Sequence, residues 1–133
     1  MLLALGWPNH QFHSAATRRV GRAESWATCA LTQLGFVRLS SNPAAVGVRK
    51  SPAEAVSLLE QLVADSRHVY VHSLPSPTAG TCRQTLERIL GSQQVTDAYL
   101  LALAQHREAK LLTFDQRLAA LATDQQSLEV LLA

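Results

Sequence analysis

The sequence predicts an α/β domain in which a short, mostly parallel sheet is flanked by helices on both faces. Three observations carry that prediction. Apolar runs of strand length (WATCAL, HVYVH, AKLLTF and SLEVLL) alternate with stretches of helical spacing, the pattern of parallel strands linked by crossover helices. Aromatic residues make up only 5% of the chain while Leu and Ala abound, which points to an aliphatic core built largely from helices. The 133 residues fit a single domain, 1–133, with nearly half of them apolar and 17% charged, a globular composition.

Along the chain, LLALGW reads as a short apolar helix broken by Pro8, and NHQFHSAATRRVGRAES as a second helix with Asn9 as its N-cap. WATCAL is a buried strand, and TQLGFVRLSS returns to helical spacing until Asn42-Pro43 stops it. Ser51-Pro52-Ala53-Glu54 supplies an N-cap, a proline at the first helical position and the glutamate of a capping box. Val56, Leu59, Leu62 and Val63 then form the apolar face of a helix expected to reach Ser66. HVYVH is a strand, LPSPTAGT a loop, and CRQTLERIL a helix closed by Gly91. Ser92 is the expected cap of the helix carrying VTDAYLLALAQHRE, after which come the strand AKLLTF, the short helix QRLAALA and the strand SLEVLL.

Several functional classes drop out. Cys29 and Cys82 have neither the number nor the spacing of a disulfide framework or zinc site, and read as ordinary thiols of a reducing compartment. No apolar run approaches the roughly 20 residues of a membrane span, and MLLALGW lacks a basic n-region, so a cytoplasmic protein is expected. His10 and His13 lack the partners of a metal site, and there is no nucleophile elbow, P-loop or dinucleotide fingerprint. The scarcity of aromatics argues against a stacking platform for single strands. The formal charge of +2 permits an anionic partner without demanding one, and Arg18, Arg19 and Arg22 read as a solvated basic face.

Two acids stand out. Asp97 precedes a run, residues 98 to 104, that is apolar apart from the hydroxyl of Tyr99, so the helix is buried nearly all round and the carboxylate needs a partner. The alternative is an acid in an early helical turn favoured by the helix dipole. Asp115 ends the strand AKLLTF, where ligands and catalytic groups gather in open α/β sheets, with Thr113 on the same face; alternatively it caps QRLAALA. About twelve helical residues at ~1.5 Å each are matched by about six strand residues at ~3.3 Å, so a helix running on from Asp97 and a strand returning to Asp115 bring both carboxylates to one edge. Two carboxylates there repel each other, and a hard divalent cation, Mg²⁺ or Mn²⁺, resolves the repulsion.

The stretch Gly91-Ser-Gln-Gln-Val-Thr-Asp97-Ala-Tyr-Leu-Leu-Ala-Leu-Ala, with Leu111-Leu-Thr-Phe-Asp115, resembles the C-terminal half of PIN-domain ribonucleases of the VapC toxin type. Upstream, Thr28-Cys-Ala-Leu-Thr-Gln33-Leu-Gly-Phe-Val-Arg38 through Asn42-Pro43 resembles the segment after that family's second strand, and Trp7-Pro-Asn-His10 with His13 the end of its first helix and the start of its second. The resemblance implies a PIN-like fold, a metal-dependent endoribonuclease using Mg²⁺ or Mn²⁺, neutralisation by a VapB-type antitoxin, and a homodimer. It puts Asp97 and Asp115 at metal-site positions and Thr113 where a hydroxyl near the metal is common. Gln33 falls at the place of another acid, offering a carbonyl oxygen without charge. Arg38, which follows the Gln33 segment, is the expected RNA-binding residue.

The family's first strand, ending in an Asp-x-Asn stretch, lies ahead of the helix that LLALGW forms, so that strand and its aspartate are expected to be missing here. Two explanations stay open: a true start upstream of Met1, or a truncated, degenerate toxin. Two rival functions also stay open. One is a catalytically impaired PIN domain that only binds an antitoxin; the other is an unrelated doubly wound domain with Asp115 as a phosphoacceptor.

Overall fold

A computed structural model describes residues 1–132. The chain divides into two compact units, Met1–His72 and Ser73–Leu132.

The first unit opens with α1 (Leu2–Gly6) and α2 (His13–Gly21), followed by β1 (Trp26–Cys29), α3 (Ala30–Ser40), α4 (Pro43–Val46), α5 (Pro52–Val63) and β2 (His68–Val71). The Ser51 capping box forms as read: Ser51 Oγ accepts from the Glu54 amide and Glu54 accepts from the Ser51 amide. Asn9, in contrast, caps nothing. Its side-chain amide donates to the Val46 carbonyl, and α2 begins four residues later, after turns in which the Phe12 amide donates to His10 Nδ1. Asn42 both ends α3 and caps the additional one-turn helix α4, accepting from the Ala44 amide. The core consists of Trp7, Phe36, Val46 and Leu59, with Leu2, Leu3, Val37, Leu58, Leu62 and Val63 packed against it. Trp7 Nε1 donates to the fully buried Ser40 hydroxyl at 2.8 Å, which satisfies both polar groups.

A clamp at Arg67 holds this unit's connections. Nη1 of Arg67 donates to the carbonyls of Val20, Gly21 and Ala23 at 3.1, 3.3 and 3.1 Å, meeting the orphan acceptors at the end of α2. Nε and Nη2 grip Asp65 at 3.1 and 2.7 Å, and Trp26 Nε1 donates to the same carboxylate at 3.2 Å. β1 and β2 then pair in parallel, Trp26 opposite His68 and Cys29 opposite Val71.

The second unit contains α6 (Gly80–Glu87), α7 (Val95–His106), β3 (Leu111–Thr113) and β4 (Leu128–Val130). Ser92 starts a 3-10 turn, Ser92–Gln94, instead of capping α7, which starts at Val95 without a side-chain cap. The helix before it stops at Glu87, short of Gly91. As the apolar run requires, α7 buries Ala98, Tyr99, Leu101, Ala102, Leu103 and Ala104. It packs on α6 and β3, and Ala98 and Leu101 join Leu118, Leu121 and Leu128 in the core. β3 and β4 pair in parallel, Leu111 opposite Leu128 and Thr113 opposite Val130.

The described strands thus form two two-stranded parallel sheets, where the sequence pattern led to one sheet. Apolar alternation marks a strand but does not name its neighbour, so the partition is invisible in sequence. Among the described residues no helix is long and apolar enough to cross a membrane.

Gly6 supplies a test of the first core. A Cβ there would lie 2.6 and 2.9 Å from Cε2 and Cζ of Phe36, a ring only 2% exposed and with no room to retreat. Gly6→Ala is expected to lower stability in urea unfolding by about 1–3 kcal/mol through overpacking. A gain of about 1 kcal/mol, which helix propensity alone would give, would contradict this packing.

Candidate active site

The end of β3 and the first turn of α7 build the candidate site in the second unit. Thr113, the last residue of β3, turns its hydroxyl to accept the Asp115 amide at 3.0 Å. Asp115 then does what a cap does: Oδ1 accepts the Arg117 amide at 3.0 Å and opens the 3-10 helix Gln116–Ala120. The structural and functional readings of Asp115 are therefore not exclusive. The capping bond takes one lone pair of Oδ1 and leaves the rest of the carboxylate to side-chain donors or to a cation in their place.

The Arg117 guanidinium lies along the same carboxylate, with Nε at 2.9 and 3.2 Å from Oδ1 and Oδ2 and Nη2 at 2.8 Å from Oδ2. These bonds hold the Asp115 carboxyl below the usual carboxylate range.

Asp97 is shifted the other way. Burial raises its pKa first, and the negative charge of Asp115 raises it further, with Arg117 opposing. The structure therefore brings Asp97 and Asp115 within electrostatic reach of each other, as the helix–strand lengths require. Among the described residues the Asp97 carboxylate accepts no hydrogen bond that would offset this burial; its position in the first turn of α7 leaves it the helix dipole.

Two carboxylates that repel each other, one of them half-buried, form an oxygen donor set suited to a hard divalent cation. Mg²⁺ is commonly held by one or two carboxylates, with waters and substrate phosphates completing its shell. The residues present fit such an ion as a two-carboxylate site. Among the described residues no group of three or more His, Cys, Asp or Glu side chains is placed to hold one.

Gln33 and Arg38 lie on α3, in the first unit. Nε2 of Gln33 donates to Thr28 Oγ1 at 2.9 Å, and that buried hydroxyl is 2.7 Å from His68 Nε2. Burial holds the His68 imidazole below its ordinary pKa, against the pull of Asp65. With its amide committed to Thr28, Gln33 keeps its carbonyl oxygen as the free end. Thr28 and His68 were not singled out in the sequence; a threonine within a strand carries no signal until its cross-strand partner is known. Arg38 stands exposed in the last turn of α3. His10 and His13 have structural roles, His13 Nδ1 lying 2.8 Å from the Ala4 carbonyl. Both cysteines are buried free thiols.

Comparison with known proteins gives this arrangement its class. The family model of the PIN domain matches residues 2–124, a span that runs through both units, and the chain belongs to that family. Within it the chain is 36% identical over 121 residues to Ribonuclease VapC39 of Mycobacterium tuberculosis (strain ATCC 25618 / H37Rv), covering 90% of this chain and 86% of the relative. Ribonuclease VapC38 of the same strain is 38% identical over 124 residues, with 91% and 84% covered, and Ribonuclease VapC44 is 37% identical over 124 residues, with 90% and 84% covered. The chain is thus a PIN-domain protein of the VapC ribonuclease group.

One stability measurement probes the site and a second probes the Thr28 contacts of the first unit. A carboxyl whose folded pKa exceeds its unfolded value binds more protons when folded, so ionised Asp97 weakens the fold above that folded pKa, and the penalty vanishes below the ordinary value near 3.8. Asp97→Asn is therefore expected to raise Tm at pH 7, the gain shrinking as the pH falls toward 3.8; an unchanged or lower Tm at pH 7 would count against a strained carboxylate. Thr28→Val keeps the side-chain shape but abandons Gln33 and His68, and should cost about 1–3 kcal/mol in urea unfolding while Thr28→Ser costs less. Equal stabilities for the valine variant and the native chain would argue that the relay is unimportant.

Proposed function

We propose that this chain is the toxin of a VapBC-type toxin–antitoxin pair, a single PIN domain that cuts RNA internally with Mg²⁺ or Mn²⁺ held by Asp97 and Asp115. The observation that carries the reading is the half-buried Asp97 carboxylate within electrostatic reach of Asp115 in a chain of the PIN family. Such a pair is destabilising by itself and becomes favourable when a dication neutralises it. The curated relatives bear the name ribonuclease, which supports the reaction class.

When bound, the cation supplies charge neutralisation at a phosphodiester and activates a water. The chain's own residues do the rest. Asp97 and Asp115 contribute the anionic oxygens, and Thr113 fixes the backbone at Asp115 through the amide bond to its hydroxyl. From the family resemblance, Gln33 takes part in catalysis as a neutral carbonyl oxygen; the exposed Arg38, which follows the Gln33 segment, meets RNA phosphate. A cytoplasmic toxin, a homodimer and a VapB-type antitoxin as partner complete the proposal.

A second reading is favoured by one observation: Gln33 brings no charge where an acid is expected. On that reading the chain is an impaired PIN domain that only captures an antitoxin, an apolar groove taking an amphipathic helix.

Cleavage of total RNA with Mn²⁺ separates the two readings. Internal cuts are expected with the native chain, abolished by chelation and reduced about 100-fold or more by Asp97→Asn, on the scale of a lost metal ligand. Retention of antitoxin binding without any Mn²⁺-dependent cleavage by the native chain would establish the second reading instead.

A further inference from the structure

The side chain of Arg117 is the group of the site that neither capping nor the metal reading uses. Its backbone amide caps through Asp115, but its side chain is 70% exposed and reaches both oxygens of a carboxylate that is 26% exposed. Nε and Nη2 cover the Asp115 oxygens at 2.8 to 3.2 Å, so the guanidinium occupies the directions from which a cation would approach. The positive charge of Arg117 also acts on Asp97. The guanidinium is thus the counter-ion of Asp115 and touches Asp97 only through its charge. Exposed ion pairs of this kind are weak and readily exchanged. Arginine's planar fork suits phosphate as well as carboxylate.

We infer that Arg117 competes with the divalent cation for Asp115 and, once the cation holds that carboxylate, turns its guanidinium to bind a backbone phosphate of the RNA. The inference rests on the metal-dependent ribonuclease reading above. It assigns Arg117 a substrate-binding role that is coupled to metal entry. Metal binding frees the fork, and the freed fork stands two residues from the carboxylate where the phosphate must arrive.

The test pairs Mn²⁺ calorimetry, without RNA, with salt-dependent binding of a labelled phosphorothioate single-stranded oligoribonucleotide in Mn²⁺. Arg117→Gln keeps the capping amide and so the local fold, which circular dichroism verifies. The variant is expected to bind Mn²⁺ about two- to fivefold more tightly, the scale of an exposed ion pair. It should bind the oligoribonucleotide more weakly, with a slope of log K against log salt shallower by about 0.7, one single-strand phosphate contact. Mn²⁺ affinity equal to or below the native value, or an unchanged salt slope, overturns the inference. If Mn²⁺ binding is lost in Asp97→Asn but equal in Arg117→Gln, the metal reading stands and only the role of Arg117 falls. If the native chain binds no Mn²⁺, both fall together.

Discussion

Everything at the site depends on one constraint, an aspartate carried by a helix with almost no polar face. α7 buries six residues between Ala98 and Ala104, and that burial anchors it to α6, to β3 and to the core of Leu118, Leu121 and Leu128. Asp97 cannot leave without unpacking them. Its carboxylate therefore stays half-desolvated, within electrostatic reach of a second carboxylate that Thr113 and the capping bond hold just past the end of β3. The electrostatic penalty is local, while the stability that tolerates it is spread through an aliphatic core. Folding energy of this kind commonly supports groups that are unfavourable alone and serve a ligand.

The polar organisation of the first unit has a different character, because its Arg67–Asp65 ion pair is satisfied internally. Arg67 meets three carbonyls at the end of α2 and a carboxylate that also accepts from Trp26. The side-chain bonds to Arg67 hold Asp65 far below the ordinary carboxylate range. Such a group lends stability at neutral pH that is lost on acidification, the reverse of Asp97. A strongly shifted acid is thus no guide to function by itself. The direction of the shift, and whether a protein partner explains it, separates Asp65 of the clamp from Asp97 of the candidate site.

Much of this was legible in the sequence where the signal is local. The capping box at Ser51, the helix breaks at Pro8 and Asn42-Pro43, and the burial of α7 between Ala98 and Ala104 follow from residues within a few positions of one another. The convergence of Asp97 and Asp115 was also legible, because it needs only the rise of a helix and of a strand. What failed were features decided by distant partners. Asn9 has the chemistry of a cap yet spends its amide on Val46, 37 residues away. Ser92 is displaced from capping by the 3-10 turn it begins. The Thr28–His68 contact spans 40 residues, and the pairing of strands in twos has no sequence signature. Arg117 was hidden for another reason: an arginine two residues after an aspartate, as at Asp65 and Arg67 too, carries no functional signal until the surroundings of the carboxylate it grips are known.

The central claim is that Asp97 is an acid held unfavourably until a dication arrives, and carbon-13 NMR titration of its carboxyl with and without Mg²⁺ tests that most directly. The account predicts a pKa above the ordinary 3.8 without the ion, falling when Mg²⁺ is added as the ionised form gains its partner. An Asp97 that titrates at its ordinary value and ignores Mg²⁺ would contradict it.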